Sequence, residues 1–168
     1  DHVEVCACVS RGLRDAVRIH RAPIRVRVGD CVAQALARAR SSATLAFDPG
    51  CHRVQGVLYV RARVRFVGPS ESSACAVLVS QSHALLRVSA PLRIEHMTLG
   101  CAGMTLNKNA AVVYQEAGSL VLDHCTIQPR RPDGSNAPIQ PTAGVWVGPD
   151  ARIRMTRCSV VECDPALR

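Results

Sequence analysis

The sequence predicts an all-β chain that forms a right-handed parallel β-helix, a single-stranded solenoid, with an N-terminal α-helical cap. One observation is an 18-residue pattern that occurs three times, in residues 82–99, 110–127 and 143–160. Another is that apolar residues alternate with polar ones over only a few positions, which is typical of short strands and not of helices. A solenoid whose successive coils place like residues over like explains both observations.

Four apolar columns connect the three copies of the pattern. They hold Leu92, Leu120 and Ile153; Ile94, Leu122 and Met155; Met97, Cys125 and Cys158; and Leu99, Ile127 and Val160. A weaker copy in residues 54–71 places Val64 and Phe66 in the first two columns. The copies begin 28, 28 and 33 residues apart, a spacing that suits coils of short strands joined by loops. We therefore expect equivalent side chains to form vertical stacks inside the solenoid.

Each copy interrupts its alternation at two adjacent polar residues. These pairs are Glu95-His96, Asp123-His124 and Thr156-Arg157. We expect a corner between two strands there, with residues at positive φ, a region in which histidine is enriched. The alternative is that His96 and His124 form a zinc site or a pH switch, although zinc usually takes four ligands.

Composition limits the class of protein. A chain of 168 residues with 48% apolar content has the size and core of one domain. Its nine cysteines are an odd number, and several fall in apolar columns, which favours a reducing compartment and a cytoplasmic or nuclear location. We expect no membrane span, because no run approaches 18 apolar residues. The start at Asp1 without a methionine suggests a fragment of a longer protein.

The net charge of +8 comes almost entirely from arginine, since Lys108 is the only lysine. This balance favours an acidic partner, which is a protein segment, nucleic acid or a membrane surface. The chain has only five aromatic residues, and we take this number to disfavour both base stacking and a sugar-stacking cleft.

The sequence predicts an N-terminal extension in residues 1–29, with a strand and a short helix, to which we assign no role. Residues 30–168 are predicted to form one domain that contains the capping helix and the coils. Asp30 is the expected N-cap of the capping helix. The helix would pack one apolar face, made of Val32, Ala35, Leu36 and Ala39, over the open end of the first coil.

Residues 26–68, with the sequence VRVGDCVAQALARARSSATLAFDPGCHRVQGVLYVRARVRFVG, resemble the opening of the pectin-lyase-like right-handed β-helices. The later segments LVLDHCTI and IRMTRCSV resemble coils of the intracellular members. Those members are the F-box β-helix ubiquitin-ligase receptors, the Shc SH2-domain-binding protein and the adenovirus early 1B large protein. The resemblance covers about residues 24–163. It implies a right-handed coil and, among these viral and ligase-associated members, a role in holding other proteins.

Catalysis and metal binding have weak candidates. Lyases of this fold need clustered carboxylates for calcium, and Glu95 and Asp123 share a column about 5 Å apart. Calcium takes 6 to 8 oxygen ligands, so we expect these two to be water-exposed corner residues. Cys6 and Cys8 lack the paired spacing of a zinc site. We therefore assign no catalytic residue, no metal ligand and no cofactor.

The candidate binding residues are arginines. Arg61, Arg63 and Arg65 alternate with smaller residues and are expected to point outward from one strand, with Arg93 and later Arg154 in the column of Arg65. Such groups bind carboxylates or phosphates with paired hydrogen bonds. The alternative is that they are ordinary charges on a solvent-facing strand.

The insertion in residues 128–142 lengthens one coil by five residues and carries Arg130 and Arg131 among four prolines. It is either a protruding binding loop or a surface excursion. Val160 and Val161 would lie on an uncovered end, so we expect more coils in the parent protein, a cap from elsewhere, or self-association through the last coil.

These features predict a non-catalytic scaffold or adaptor for protein–protein interaction, with Arg61, Arg63, Arg65, Arg93, Arg130 and Arg131 as the partner-binding residues. One alternative is a β-helix enzyme that acts on polysaccharide. Another is a basic surface that binds nucleic acid or an acidic partner.

Overall fold

The computed structural model describes residues 22–70, 75–101, 111–128 and 143–160. Its strands are β1 (Ile24–Val26), β2 (Ala43–Phe47), β3 (Gly50–Val54), β4 (Leu58–Val60), β5 (Val64–Val67), β6 (Ala76–Ser80), β7 (Leu86–Val88), β8 (Leu92–Glu95), β9 (Met97–Cys101), β10 (Ala111–Asp123), β11 (Thr126–Gln128), β12 (Ala143–Thr156) and β13 (Ser159–Val160). One helix, α1, spans Val32–Arg38. Residues 1–21 of the predicted N-terminal extension lie outside the described part of the chain.

The strands form three stacks, and every pairing within them is parallel. Stack 1 contains β4, β7 and the first halves of β10 and β12. Stack 2 contains β1, β2, β5, β8 and the second halves of β10 and β12. Stack 3 contains β3, β6, β9, β11 and β13. The chain passes from stack 2 to stack 3 and then to stack 1 before it begins the next coil.

Strand register confirms the predicted columns. Leu92 pairs with Val64 on one side and with Leu120 on the other, and Leu120 pairs with Ile153. Ile127 pairs with Leu99 and Val160 in stack 3. The inward side chains of all three stacks form one core, and those of Leu45, Phe66, Ile94 and Leu122 are fully buried. Burial of such side chains is the main source of stability.

The last described coil differs from the others in its exposure. Ile153 and Met155 continue two columns whose earlier members are buried, yet their exposed fractions are 37% and 40%. Val160 is 49% exposed at the end of stack 3. An apolar layer therefore faces outward at this end of the described residues.

The predicted corner residues adopt the predicted backbone conformation. His96, His124 and Arg157 have φ values of 53°, 51° and 51°. A left-handed residue turns the chain sharply between stack 2 and stack 3, and a side chain that tolerates this region is needed there. Gly118, with φ of 79°, serves the corner between stack 1 and stack 2.

Helix α1 packs through the predicted face, but its predicted cap is wrong. Val32 is buried, and Ala35, Leu36 and Ala39 pack against the core. The N-cap residue is Cys31, which makes no side-chain capping bond. The carboxylate of Asp30 instead accepts a hydrogen bond from the backbone N–H of Arg27 at 2.7 Å, which closes the preceding turn. None of the described helices is long and apolar enough to cross a membrane.

Candidate binding surface on stack 2

Stack 2 presents a column of outward side chains that crosses five strands. The column contains Thr44, Arg65, Arg93, Val121 and Arg154. The residues on either side of Arg65 and Arg93 are buried in the core, so strand alternation directs these arginines outward. The sequence prediction that Arg65, Arg93 and Arg154 share a column is confirmed.

A shallow groove of about 490 Å³ lies along this column. Arg63, Arg65 and Arg93 form its charged wall. Thr44, Ser119 and Val121 also line it and carry no charge. The structure thus brings together three of the six arginines predicted to bind a partner.

Glu95 lies next to this wall and is bound by two of its arginines. The Nε atom of Arg65 donates to Oε1 of Glu95 at 3.1 Å, and Nη2 of Arg65 donates to Oε2 at 2.5 Å. The Nε atom of Arg93 also donates to Oε1. Glu95 is only 6% exposed, so the expectation that it is a water-exposed corner residue is wrong. The two guanidinium groups cover it.

Two opposing effects act on the pKa of Glu95. Burial raises this pKa, while the hydrogen bonds and charges of Arg65 and Arg93 lower it and outweigh the burial. The net result is a pKa below the ordinary value of 4.5. Glu95 therefore stays ionised near neutral pH, and the three groups together carry one net positive charge.

Arg61 does not belong to this surface, which corrects the prediction of one outward stripe. Strand β4 ends at Val60 and β5 begins at Val64, so Arg61 and Arg63 lie in the connection between two stacks. The guanidinium of Arg61 lies over the ring of Tyr59, 5.6 Å from its centroid, on the stack 1 side. Arg130 and Arg131, with their loop, lie outside the described residues.

The second carboxylate of the predicted pair makes different contacts. Asp123 is in register with Glu95, but its Oδ1 lies 3.1 Å from Nδ1 of His124. Nε2 of His124 lies 3.0 Å from Nη1 of Arg157, and the rings of His96 and His124 stack at 4.8 Å. Within the described residues, no three His, Cys, Asp or Glu side chains are grouped to hold a metal ion.

Sequence reasoning missed the arrangement around Glu95, although its signal was present. The repeat alignment places Glu95 two residues after Arg93 on the same strand and one coil after Arg65. Same-side side chains at these spacings are neighbours on a sheet surface, so an acidic residue there meets both arginines.

No family model matches the chain, and no curated protein sequence matches it. Among solved structures it is similar to a mutant of the PL6 family alginate lyase AlyGC, with a TM-score of 0.65 and 12% identity over 84% of this chain. The fold is a parallel β-helix. The match covers 20% of the lyase chain, so this chain spans about a fifth of that enzyme. At this identity the similarity establishes the pectate-lyase-like fold and leaves the activity open.

Proposed function

We propose that this chain is a non-catalytic scaffold whose stack 2 groove binds an acidic segment of a partner protein. The observation that carries the proposal is the pair of guanidinium groups, Arg65 and Arg93, held side by side by one buried carboxylate. Because Glu95 is almost inaccessible to solvent, we assign it the role of orienting these two arginines.

The donors that remain support this role. A guanidinium has five N–H donors, and Glu95 takes two from Arg65 and one from Arg93. The two arginine side chains keep about half of their surface exposed, at 49% and 52%. Arg63 adds a third cation to the same groove. Oriented donors with a net positive charge favour a carboxylate or phosphate group over a neutral one.

The contacts and charge state of Glu95 make it unsuited to act as a general acid. A general acid needs a pKa raised toward neutrality, whereas the pKa of Glu95 is lowered. Both of its oxygens also accept hydrogen bonds from arginine. The resemblance to intracellular β-helix adaptors favours a protein partner, and the cysteine content favours a cytoplasmic or nuclear setting.

The second candidate function is cleavage of an acidic polysaccharide, which the similarity to an alginate lyase favours. This function predicts that the protein releases unsaturated products from alginate in the presence of calcium, which ultraviolet absorbance measures. It also predicts that the Arg93→Gln variant releases none. We expect no such release. Its appearance would replace the scaffold proposal with an enzyme.

Binding of a fluorescent oligoglutamate peptide tests the proposal directly. We expect saturable binding that weakens about tenfold in Arg63→Gln and in Arg93→Gln, because each removes a cation from the groove. Arg53→Gln is the matched control, since Arg53 is an exposed arginine on β3 in stack 3. Arg130→Gln and Arg131→Gln, measured alongside, determine whether the loop contributes.

Two results would contradict the proposal. One is equal affinity of the wild type and both groove variants for the peptide. The other is tighter binding of an oligothymidylate than of oligoglutamate, with the steep salt dependence of phosphate contacts, because it would assign the surface to nucleic acid.

We further propose that α1 covers the open end of the first coil, as its buried Val32 and its contacts with β1 and β3 suggest. Leu36→Asp would then expose that end and cause association in sedimentation velocity. Arg38→Gln, on the same helix, should leave the protein unchanged.

A further inference from the structure

Stack 1 carries a second outward column, which we name the aromatic ladder. Strand register places Tyr59 beside Arg87, Arg87 beside Tyr114 and Tyr114 beside Trp146. The chain contains two tyrosines and one tryptophan in all, and the ladder contains every one of them. Both phenylalanines are instead buried in the core.

The ladder is exposed at both ends and half-buried in the middle, at Arg87 and Tyr114, with cations among the rings. The exposed fractions of Tyr59 and Trp146 are 54% and 44%. Arg87 lies over the ring of Tyr114 at 5.4 Å, and Tyr114 and Trp146 contact each other with ring centroids 5.9 Å apart. Arg61 covers the ring of Tyr59 at the other end. These rings contribute little to the core, because inward residues of the same strands fill it.

The composition of the ladder indicates a protein partner. Tyrosine, tryptophan and arginine are the residues most enriched among those that dominate binding energy in protein interfaces. The ladder has two arginines and one nearby carboxylate, Glu116, which lies 3.7 Å from Arg87. Its net positive charge complements an acidic partner, as does that of the stack 2 groove.

The spacing of the ladder indicates the conformation of that partner. Adjacent coils are separated by about 4.8 Å, so Tyr59 and Tyr114, two coils apart, are separated by roughly 9.6 Å. A polyproline II helix advances about 3.1 Å per residue with three residues per turn, so its equivalent side chains recur every 9.3 Å or so. One turn of such a helix therefore matches two coils.

We propose that the aromatic ladder binds an acidic, proline-rich segment in polyproline II conformation, which lies along the axis on which the coils stack. Prolines in that conformation dock on exposed aromatic rings and lose little conformational entropy. The acidity of the partner in this inference rests on the proposed function, in which the stack 2 groove binds an acidic segment. The two surfaces adjoin, because the connection between β4 and β5 gives Arg61 to the ladder and Arg63 to the groove.

Trp146 supplies the measurement, since it is the only tryptophan in the chain. We expect its emission to change saturably on titration with a peptide of Glu-Pro-Pro repeats. A peptide of Glu-Gly-Ser repeats has the same charge and length, and we expect it to bind about tenfold more weakly. Tyr59→Ser and Arg87→Gln should each weaken binding of the proline peptide about tenfold, whereas Arg53→Gln should not.

The outcomes separate this inference from the proposed function. If the two peptides bind equally and Tyr59→Ser has no effect, the ladder is not the binding site. This conclusion holds even if Arg63→Gln weakens the binding of both peptides. Preference for the proline peptide that depends on Tyr59 and not on Arg63 supports the ladder and contradicts the groove. Tyr59→Leu, which keeps an apolar side chain, and a thermal melt of each variant separate lost contacts from lost folding. Equal binding of an uncharged Ser-Pro-Pro peptide overturns the requirement for acidity.

Discussion

The guanidinium of Arg65 donates two hydrogen bonds to the carboxylate of Glu95, although Glu95 stands 30 positions later in the chain. The repeat explains this contact, because strand register sets Arg65 beside Arg93 and Val67 beside Glu95. A residue of one coil thereby fixes an arginine of the preceding coil. The charged surface of stack 2 is a consequence of the same register that builds the core.

The first prediction concerns the acid stability that Glu95 provides. Its pKa in the folded protein lies below the ordinary 4.5, so the unfolded chain takes up the proton first. The stabilisation is therefore complete above about pH 4.5 and is lost as the pH falls through the lower, folded-state pKa. We expect Glu95→Gln to remove this part of the acid sensitivity, about 1 kcal/mol, since solvent screens the half-exposed arginines.

Urea unfolding between pH 3 and pH 7 measures this difference. Glu116→Gln is the control, because Glu116 is an exposed carboxylate on stack 1 and its loss leaves the contacts of Glu95 with Arg65 and Arg93 in place. Parallel profiles for the wild type and Glu95→Gln would contradict the assigned contact.

The second prediction compares two members of one inward column. Leu120 is fully buried, whereas Ile153, its neighbour in the last described coil, is 37% exposed. Leu120→Ala removes apolar burial and leaves a cavity, and we expect a loss of roughly 3 kcal/mol in the free energy of unfolding. Ile153→Ala should cost about 1 kcal/mol, because part of its surface is already in water.

Chemical denaturation with a sedimentation measurement checks this comparison. Equal losses for the two variants would mean that Ile153 is covered in solution. If the protein were also dimeric, the predicted self-association through the last coil would account for that cover.

The interior was the most predictable part of the molecule. The column of Leu92, Leu120 and Ile153 was predictable because apolar residues recur at the same positions of each repeat, and stacked coils bury all of these positions in one core. The position of Arg61 was predicted wrongly because alternation continues through Arg61, Ala62 and Arg63, where the chain leaves one stack for another. Alternation alone does not locate a corner when both flanking strands share its period.

The aromatic ladder escaped prediction for a related reason. The connection from stack 1 to stack 2 has the same length in the first two coils and lengthens by one residue in each of the next two, where register shifts between Gln115 and Ala117. An ungapped repeat anchored on stacks 2 and 3 therefore assigns Arg87, Tyr114 and Trp146 to three different columns. Local backbone geometry determines irregular corners of this kind, and it cannot be predicted from the amino-acid composition of the segment.

The third prediction concerns the left-handed corner at His124, where φ is 51°. A β-branched residue is strained in this region, so His124→Val should destabilise the protein by about 1 to 2 kcal/mol. His124→Gly removes the strain and should cost less, despite the lost stacking with His96. Thermal unfolding gives both values.

The matched control for His124 is Thr126→Val, two residues later in β11, where valine suits an extended strand. It should leave stability nearly unchanged. A smaller loss in His124→Val than in His124→Gly would show that packing, and not backbone conformation, governs this corner.

The fourth prediction concerns thiol reactivity. Burial raises the pKa of Cys125 to about 11, and its Sγ lies 3.4 Å from the carbonyl oxygens of Ile94 and Asp123, either of which can accept the single S–H. The thiolate is the reactive form, so iodoacetamide at pH 8 should alkylate exposed Cys51 at least about a hundredfold faster than Cys125. Peptide mass spectrometry follows both sites, and the rates should converge in denaturant. Comparable rates in the folded protein would place Cys125 outside the core column, because only exposure to water lets its thiol ionise readily.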